Sequence, residues 1–278
     1  MANHSNNFST KDLEGRPSGQ LENSKDFATD HPAAHYPIGL HLIDCFNSNH
    51  VRLRSSFDKV KFDGKNNTFQ ATCHLDSWMD TRMHNSSCTW LPHFNDRNFQ
   101  SGVGEIKKVA QEYTTIDVKF EHKYASAPKV VTWLCCLDLF KEGDWRVEAT
   151  AEDITTDGFK LKFRVWGSTK AHWVKASWIA HPSDRSDIES GSFNTMEQRP
   201  WDKPQHNHEK KVTFTKKFER APVVYYAISR IDQTNSSSLR ARAYCKDVTP
   251  QGMTVCLESW METVMYSMVG QWIAMAKY

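Results

Sequence analysis

A chain of 278 residues with a net charge of +2 has the make-up of a folded globular protein and argues against several classes at once. It carries no Lys/Arg run or basic stripe that would track nucleic acid, no apolar stretch approaching a membrane span, and no apolar core of a secretory signal in its opening MANHSNNFSTKDLEGRPSG. Its seven cysteines are odd in number and do not recur at matched places, so reduced thiols are expected and not a disulfide framework.

In chain order, residues 1–20 are polar, rich in Asn, Ser and Gly, and expected to be a flexible lead-in. Three repeats follow, over residues 21–93, 99–183 and 188–278. Asp138, Arg146, Gly158, Trp166 and Trp178 are separated by 8, 12, 8 and 12 positions, and Asp232, Arg240, Gly252, Trp260 and Trp272 repeat those spacings. Asp44, Arg52 and Gly64 keep the first two, six extra residues precede Trp78, and Trp90 follows 12 later. The step from Asp44 to Asp138 to Asp232 is 94 both times. Pro37, Pro128 and Pro222 each stand before an apolar run that reads as a strand buried on both faces or central in its sheet. The joins are short and polar, which holds neighbouring modules close.

Within each unit the hydrophobic pattern has period two. Phe159, Leu161, Phe163 and Val165 alternate with Lys160, Lys162 and Arg164, while Leu239, Ala241 and Ala243 alternate with Arg240, Arg242 and Tyr244. About six strands per unit, none with a convincing helical rival, predict an all-β protein of three tandem six-stranded antiparallel β-sandwich domains.

Parity separates the repeated tryptophans. Trp178 and Trp272 share parity with small apolar residues and belong to the core, whereas Trp78, Trp166 and Trp260 stand at the solvent-side ends of strands. Arg52, Arg146 and Arg240 have the same outward parity one strand earlier. Taken singly, each is best read as part of a solvated strand face; an arginine beside a tryptophan three times over suits a sugar. A pyranose offers an apolar C–H patch to an indole face, and hydroxyls that accept from a guanidinium.

The proline-led strand ending in Asp, the Arg, the Gly turn, the outward Trp and the terminal SWIA or QWIA together resemble the H-type lectin family. The resemblance covers all three repeats and is strongest in the second and third. It implies binding of galactose or N-acetylgalactosamine at junctions between protomers of a trimer, so three modules on one chain imply an intramolecular pseudo-trimer. Residue by residue, it implies sugar sites of Arg240, Trp260 and Tyr266, with Asp202 as a rough match to an acidic ligand; of Arg146, Trp166 and His172; and of Arg52, Trp78 and His84. Met261, Gly167 and Met79 stand where the family has a histidine. Strand parity alone puts Tyr266 and His172 on the core side, so their roles come from the resemblance.

The partners so implied are glycoproteins or glycolipids bearing those sugars, with no cofactor, no metal, no nucleic acid and no membrane insertion, and with further association of pseudo-trimers open. The thirteen histidines show no metal-ligand spacing, and no nucleophile and base recur together, so no enzyme is expected. The competing reading is an interaction scaffold whose sugar sites have decayed, as loss of the family histidine in all three units suggests. Without a leader the expected location is cytoplasmic, with release or leaderless secretion as the way out.

Overall fold

A computed structural model describes residues 6–17, 19–29, 36–58, 60–65, 67–92, 96–109 and 112–277. Repeat one supplies β1 (Asn7–Ser9), β2 (Ser24–Thr29), β3 (Ile38–Cys45), β4 (Val51–Phe57), β5 (Lys61–Asp63), β6 (Thr68–Ser77) and β7 (Met83–Trp90). Repeat two supplies β8 (Gln100–Lys107), β9 (Tyr113–Lys119), β10 (Lys129–Leu139), β11 (Trp145–Glu152), β12 (Gly158–Val165) and β13 (Ala171–His181). Repeat three supplies β14 (Ile188–Asn194), β15 (Asn207–Thr213), β16 (Val223–Gln233), β17 (Leu239–Thr249), β18 (Gly252–Glu258) and β19 (Met265–Met275).

The all-β architecture is as expected, and every pairing is antiparallel. Each repeat folds its strands into two halves of three strands, with β5 as a fourth on one half of repeat one, and each half continues into a half of a neighbouring repeat. The three sheets run β1-β7-β3-β17-β18-β15, β2-β6-β4-β10-β13-β8 with β5 on β6, and β14-β19-β16-β11-β12-β9. Repeat one therefore shares sheets with repeats three and two, and repeat two shares one with repeat three. Sharing covers edges that three separate sandwiches would leave bare.

Residues 7–12 correct the expected lead-in. β1 pairs with β7, Phe8 opposite Cys88, and Phe8 is fully buried. Ser9 and Asp12 then close a capping box on a 3-10 turn at Thr10–Asp12. Repeat three does the same after β14, where Phe193 is fully buried and Asn194 and Glu197 cap Thr195–Glu197. The first repeat thus begins before residue 21, and one buried phenylalanine in a polar sequence is enough to anchor it.

Trp178 and Trp272 are buried, as parity predicted, and pack on Phe159 and Phe214. A second apolar cluster draws on all three repeats through Leu91, Trp133, Ile179, Ala227 and Ile273. Gly39, Trp133 and Ala227 occupy the same place 94 residues apart, and they meet there. A Cβ on Gly39 would lie 2.6 Å from the Cβ atoms of both Trp133 and Ala227. The space holds one indole because its two counterparts are glycine and alanine. All seven cysteines are free; Cys245 is opposite Val255, one place from Cys256.

His181, at the end of β13, is buried with both ring nitrogens engaged. Nδ1 lies 2.9 Å from the Pro182 carbonyl oxygen and Nε2 lies 2.8 Å from Ser190 Oγ. Burial pushes its pKa down to about 4. The unfolded chain takes up this proton near pH 6.5 while the folded chain refuses it until about pH 4, so stability falls as pH falls through that window. The contribution is roughly 1.4 kcal/mol per pH unit at most. Thermal melts from pH 7 to 4 should show a steeper loss in the native chain than in His181→Asn; equal slopes would assign the acid sensitivity elsewhere.

Candidate functional site

The joins between repeats are only four residue pairs long, and each places the repeated arginine opposite the repeated aspartate of another unit. Arg240 faces Asp44, Arg52 faces Asp138 and Arg146 faces Asp232. The aspartates lie near the ends of their strands, and their partners lie across the seams. Arg52 Nε donates to Asp138 Oδ1 at 3.2 Å and Arg146 Nε to Asp232 Oδ1 at 3.1 Å, while Arg240 Nε is 3.4 Å from Asp44 Oδ1. Burial raises the pKa values of Asp44 and Asp232, with the facing arginines pulling the other way.

Each arginine also meets an acid of its own repeat. Arg52 pairs with Asp80, and Arg240 Nη1 stands 2.6 Å from Glu262 Oε1. Repeat two has Ser168 at that position, and Asp144 takes over, accepting from Arg146 Nη2 at 2.5 Å. The reason is local. A Cβ on Gly167 would lie 2.1 Å from Arg146 Nη1, so the guanidinium occupies space that Met79 and Met261 fill in the other repeats.

A feature the sequence reading passed over holds these parts in place. Trp78, Trp166 and Trp260 each begin a Trp-x-x-Thr turn in which the threonine N–H donates to the tryptophan carbonyl at 3.3 Å. The residue after each tryptophan is left-handed, with φ of 57° at Met79, 65° at Gly167 and 56° at Met261. The threonine then turns back beneath the arginine, since Thr81 and Thr169 Oγ1 each accept from the N–H of Arg52 and Arg146 at 3.0 Å. The threefold W-x-x-T spacing was the signal to find.

His84, His172 and Tyr266 also share one structural cause. In each copy the strand before the arginine pairs with the last strand of its repeat through a register shift. Asp44 and Cys45 face Asn85 and Met83, Asp138 and Leu139 face Trp173 and Ala171, and Asp232 and Gln233 face Ser267 and Met265. The skipped residue is His84, His172 or Tyr266. A bulge turns that side chain away from the face its parity assigns, so His172 has half its side chain, 53%, in solvent. Counting by twos had placed it and Tyr266 in the core.

The structure also regroups the predicted sites. Each bulge residue lies at the seam beside the arginine of another repeat. Asp44 and His84 of repeat one line a groove of about 660 Å³ with Arg240 and Trp260 of repeat three. Arg52 and Asp138 meet His172, whose Nδ1 is 3.4 Å from Asp138, while the Trp78 ring lies 6.1 Å from that of Trp173. Arg146 sits 5.8 Å from the Tyr266 ring, and Trp201, 59% exposed, stands edge-on to Tyr266 at 5.9 Å. Asp202 is exposed beside Trp201, on the loop that carries Trp201 to the Tyr266 ring.

The outward tryptophans are half-buried, not fully presented to water, and Arg52 and Arg240 are buried, at 6% and 7% exposure. The neighbouring repeat's aspartate lies against each arginine, which parity within one repeat does not reveal. Among the described residues no group of three His, Cys, Asp or Glu could hold a metal, and no helix is long and apolar enough to cross a membrane.

The H-type lectin domain family matches residues 115–181 and 209–275, from within β9 to the end of β13 and from within β15 to the end of β19. A curated relative, "ATP synthase subunits region ORF 7" of Fuscovulum blasticum, is 35% identical over 72 residues, which are 26% of this chain and 63% of that protein. The chain thus spans less than two thirds of that relative. Two solved structures of discoidin II from Dictyostelium discoideum match at 18% and 19% identity, over 56% of this chain and 76% and 75% of theirs. Their TM-score of 0.26 adds nothing to the fold described above. By family match, the second and third repeats of this chain are each H-type lectin domains.

Proposed function

We propose that the chain is a multivalent lectin, a covalent pseudo-trimer that binds galactose- or N-acetylgalactosamine-type glycans at the seams between its repeats. The observation that carries this reading is the groove between repeats one and three, where Arg240, Asp44, His84 and Trp260 converge. The half-buried indole offers a face to the C–H patch of a pyranose. Asp44 accepts from sugar hydroxyls, and Arg240 donates to them. Arg240 Nη1 is buried 2.6 Å from Glu262 Oε1, which holds the guanidinium fixed between Glu262 and Asp44. The imidazole of His84 comes from the opposite wall, so neither repeat alone makes the site.

Three such sites on one chain raise avidity by about 10²–10⁴ over one where geometry lets them act together. The glycoproteins or glycolipids of a cell surface would supply that geometry. The scaffold reading is favoured at one seam only, between repeats two and three, where the Trp166 ring is already flanked by the guanidinium groups of Arg164 and Arg230 at 4.7 and 4.9 Å.

Glycan-array binding competed by free galactose or N-acetylgalactosamine tests the proposal, with Trp260→Ala as the site variant. Loss of the indole should weaken binding at that groove about tenfold, close to 1.4 kcal/mol, and lower stability by about 1 kcal/mol or less. A blank array from folded protein would favour the scaffold.

A further inference from the structure

The groove between repeats one and three is larger than one sugar needs. Its lining crosses five adjacent strands, from His84 at the bulge of β7, through Asp44 on β3, Arg240 on β17 and Glu258 on β18, to Asn207 on β15. Four strand spacings of about 4.8 Å make roughly 19 Å. A pyranose built from bonds near 1.5 Å spans only about 5 Å from O1 to O4. The arginine, aspartate, tryptophan and bulge residue form one row across those strands.

A second row of polar groups lines the same groove two residues further along the same strands, roughly 7 Å away. Arg242 Nη1 lies 3.8 Å from Glu258 Oε2, and the Arg242 guanidinium rests 4.4 Å over the Tyr244 ring. The Tyr244 hydroxyl in turn donates to Glu258. Arg242 remains 46% exposed along its side chain and Glu258 24%, so both are held in place with donors and acceptors still facing solvent. Their charges cancel, which suits hydroxyls and acetamido groups better than a carboxylate or sulfate.

The same row differs at the seam between repeats two and three. Glu148 and Arg164 stand where repeat three has Arg242 and Glu258, and Arg230 stands where repeat one has Leu42. Arg230 reaches to 3.7 Å of Glu148 and lies against the Trp166 ring. A long cation therefore occupies the place that Leu42 leaves open.

Resting on the lectin reading above, we infer that the groove between repeats one and three binds a neutral oligosaccharide of two or three residues, its second sugar held by Arg242 and Glu258, and that Leu42 admits this second sugar where Arg230 excludes it at the seam between repeats two and three.

The test uses the full chain and follows the indole N–H resonance of Trp260, assigned with Trp260→Ala, so that this groove is read apart from the other seams. The probes are N-acetylgalactosamine and a neutral trisaccharide ending in it. The trisaccharide should bind at least about tenfold more tightly than the monosaccharide. Arg242→Ala and, separately, Leu42→Arg should erase that gain while leaving the monosaccharide affinity within about twofold. Arg242→Ala removes an exposed side chain and keeps the test open should Leu42→Arg fold poorly. Equal affinities for the two probes, or a gain untouched by folded Arg242→Ala, would overturn the inference with the lectin reading intact. Binding of neither probe would remove the lectin reading and this inference with it.

Discussion

Trp133→Ala is expected to lower the unfolding free energy by about 3–5 kcal/mol, which for a chain of this size is a drop in melting temperature on the order of 10 °C. The indole is fully buried where the three repeats meet, and its Nε1 donates to the Gln271 carbonyl oxygen at 2.8 Å. Its counterparts Gly39 and Ala227 cannot grow to fill the void. The converse change is also adverse: Gly39→Leu would force carbon into space already within 2.6 Å of Ala227 and Trp133, an overpacking cost of about 1–3 kcal/mol or more. If the three seats are equivalent, exchange should rescue. Gly39→Trp combined with Trp133→Gly ought to recover a large part of the stability that Trp133→Gly loses. The matching strand β13 already lies beside the new position, since the Ser177 hydroxyl donates to the Ile38 carbonyl oxygen at 2.8 Å. A double variant no more stable than Trp133→Gly would show that the seat belongs to repeat two alone, and calorimetry of the three chains decides.

That seat also shows what the sequence can and cannot disclose. The 94-residue step, the period-two strands and the split between core and outward tryptophans were legible because they depend on contacts within one repeat. Gly39, Trp133 and Ala227 obey the same step, yet no search for identical residues finds them. Their relation is complementary volume, and it exists only once the three units pack together. The seam is hidden for the same reason: Arg240 and Asp44 lie in different repeats, and nothing local to either announces the other. The bulges at His84, His172 and Tyr266 defeat parity because one skipped residue reverses the face. Repeat one is the least regular copy, with six extra residues before Trp78 and a first strand of three residues at Asn7–Ser9, so its beginning was the boundary least well drawn.

Arg52→Ala should cost about 3 kcal/mol or more, although an outward-facing arginine on a strand would ordinarily cost little. Its side chain is 7% exposed and that of Asp138 is 8%, so truncation leaves a carboxylate desolvated at a join only four residue pairs long. Arg240→Ala should behave alike, with 9% and 14% exposure for Arg240 and Asp44. Arg146→Ala should cost less, because its side chain is 21% exposed and water can reach the orphaned acids. Loss of glycan binding in an arginine variant is therefore ambiguous unless stability is measured beside it. Removing both charges separates the two effects. Arg52→Met with Asp138→Leu takes away the unpaired carboxylate together with its partner, so stability should return towards that of the native chain, while sugar binding at that seam stays absent because its donor and acceptor are both gone. Urea titrations of the single and double variants supply the measurement. A single-variant loss below about 1 kcal/mol would mean that the seam rests on its backbone ladder and that the ion pair is a solvated ornament; a large loss relieved by the second substitution would mean that one pair of residues both clasps two repeats and shapes the floor on which a sugar would lie.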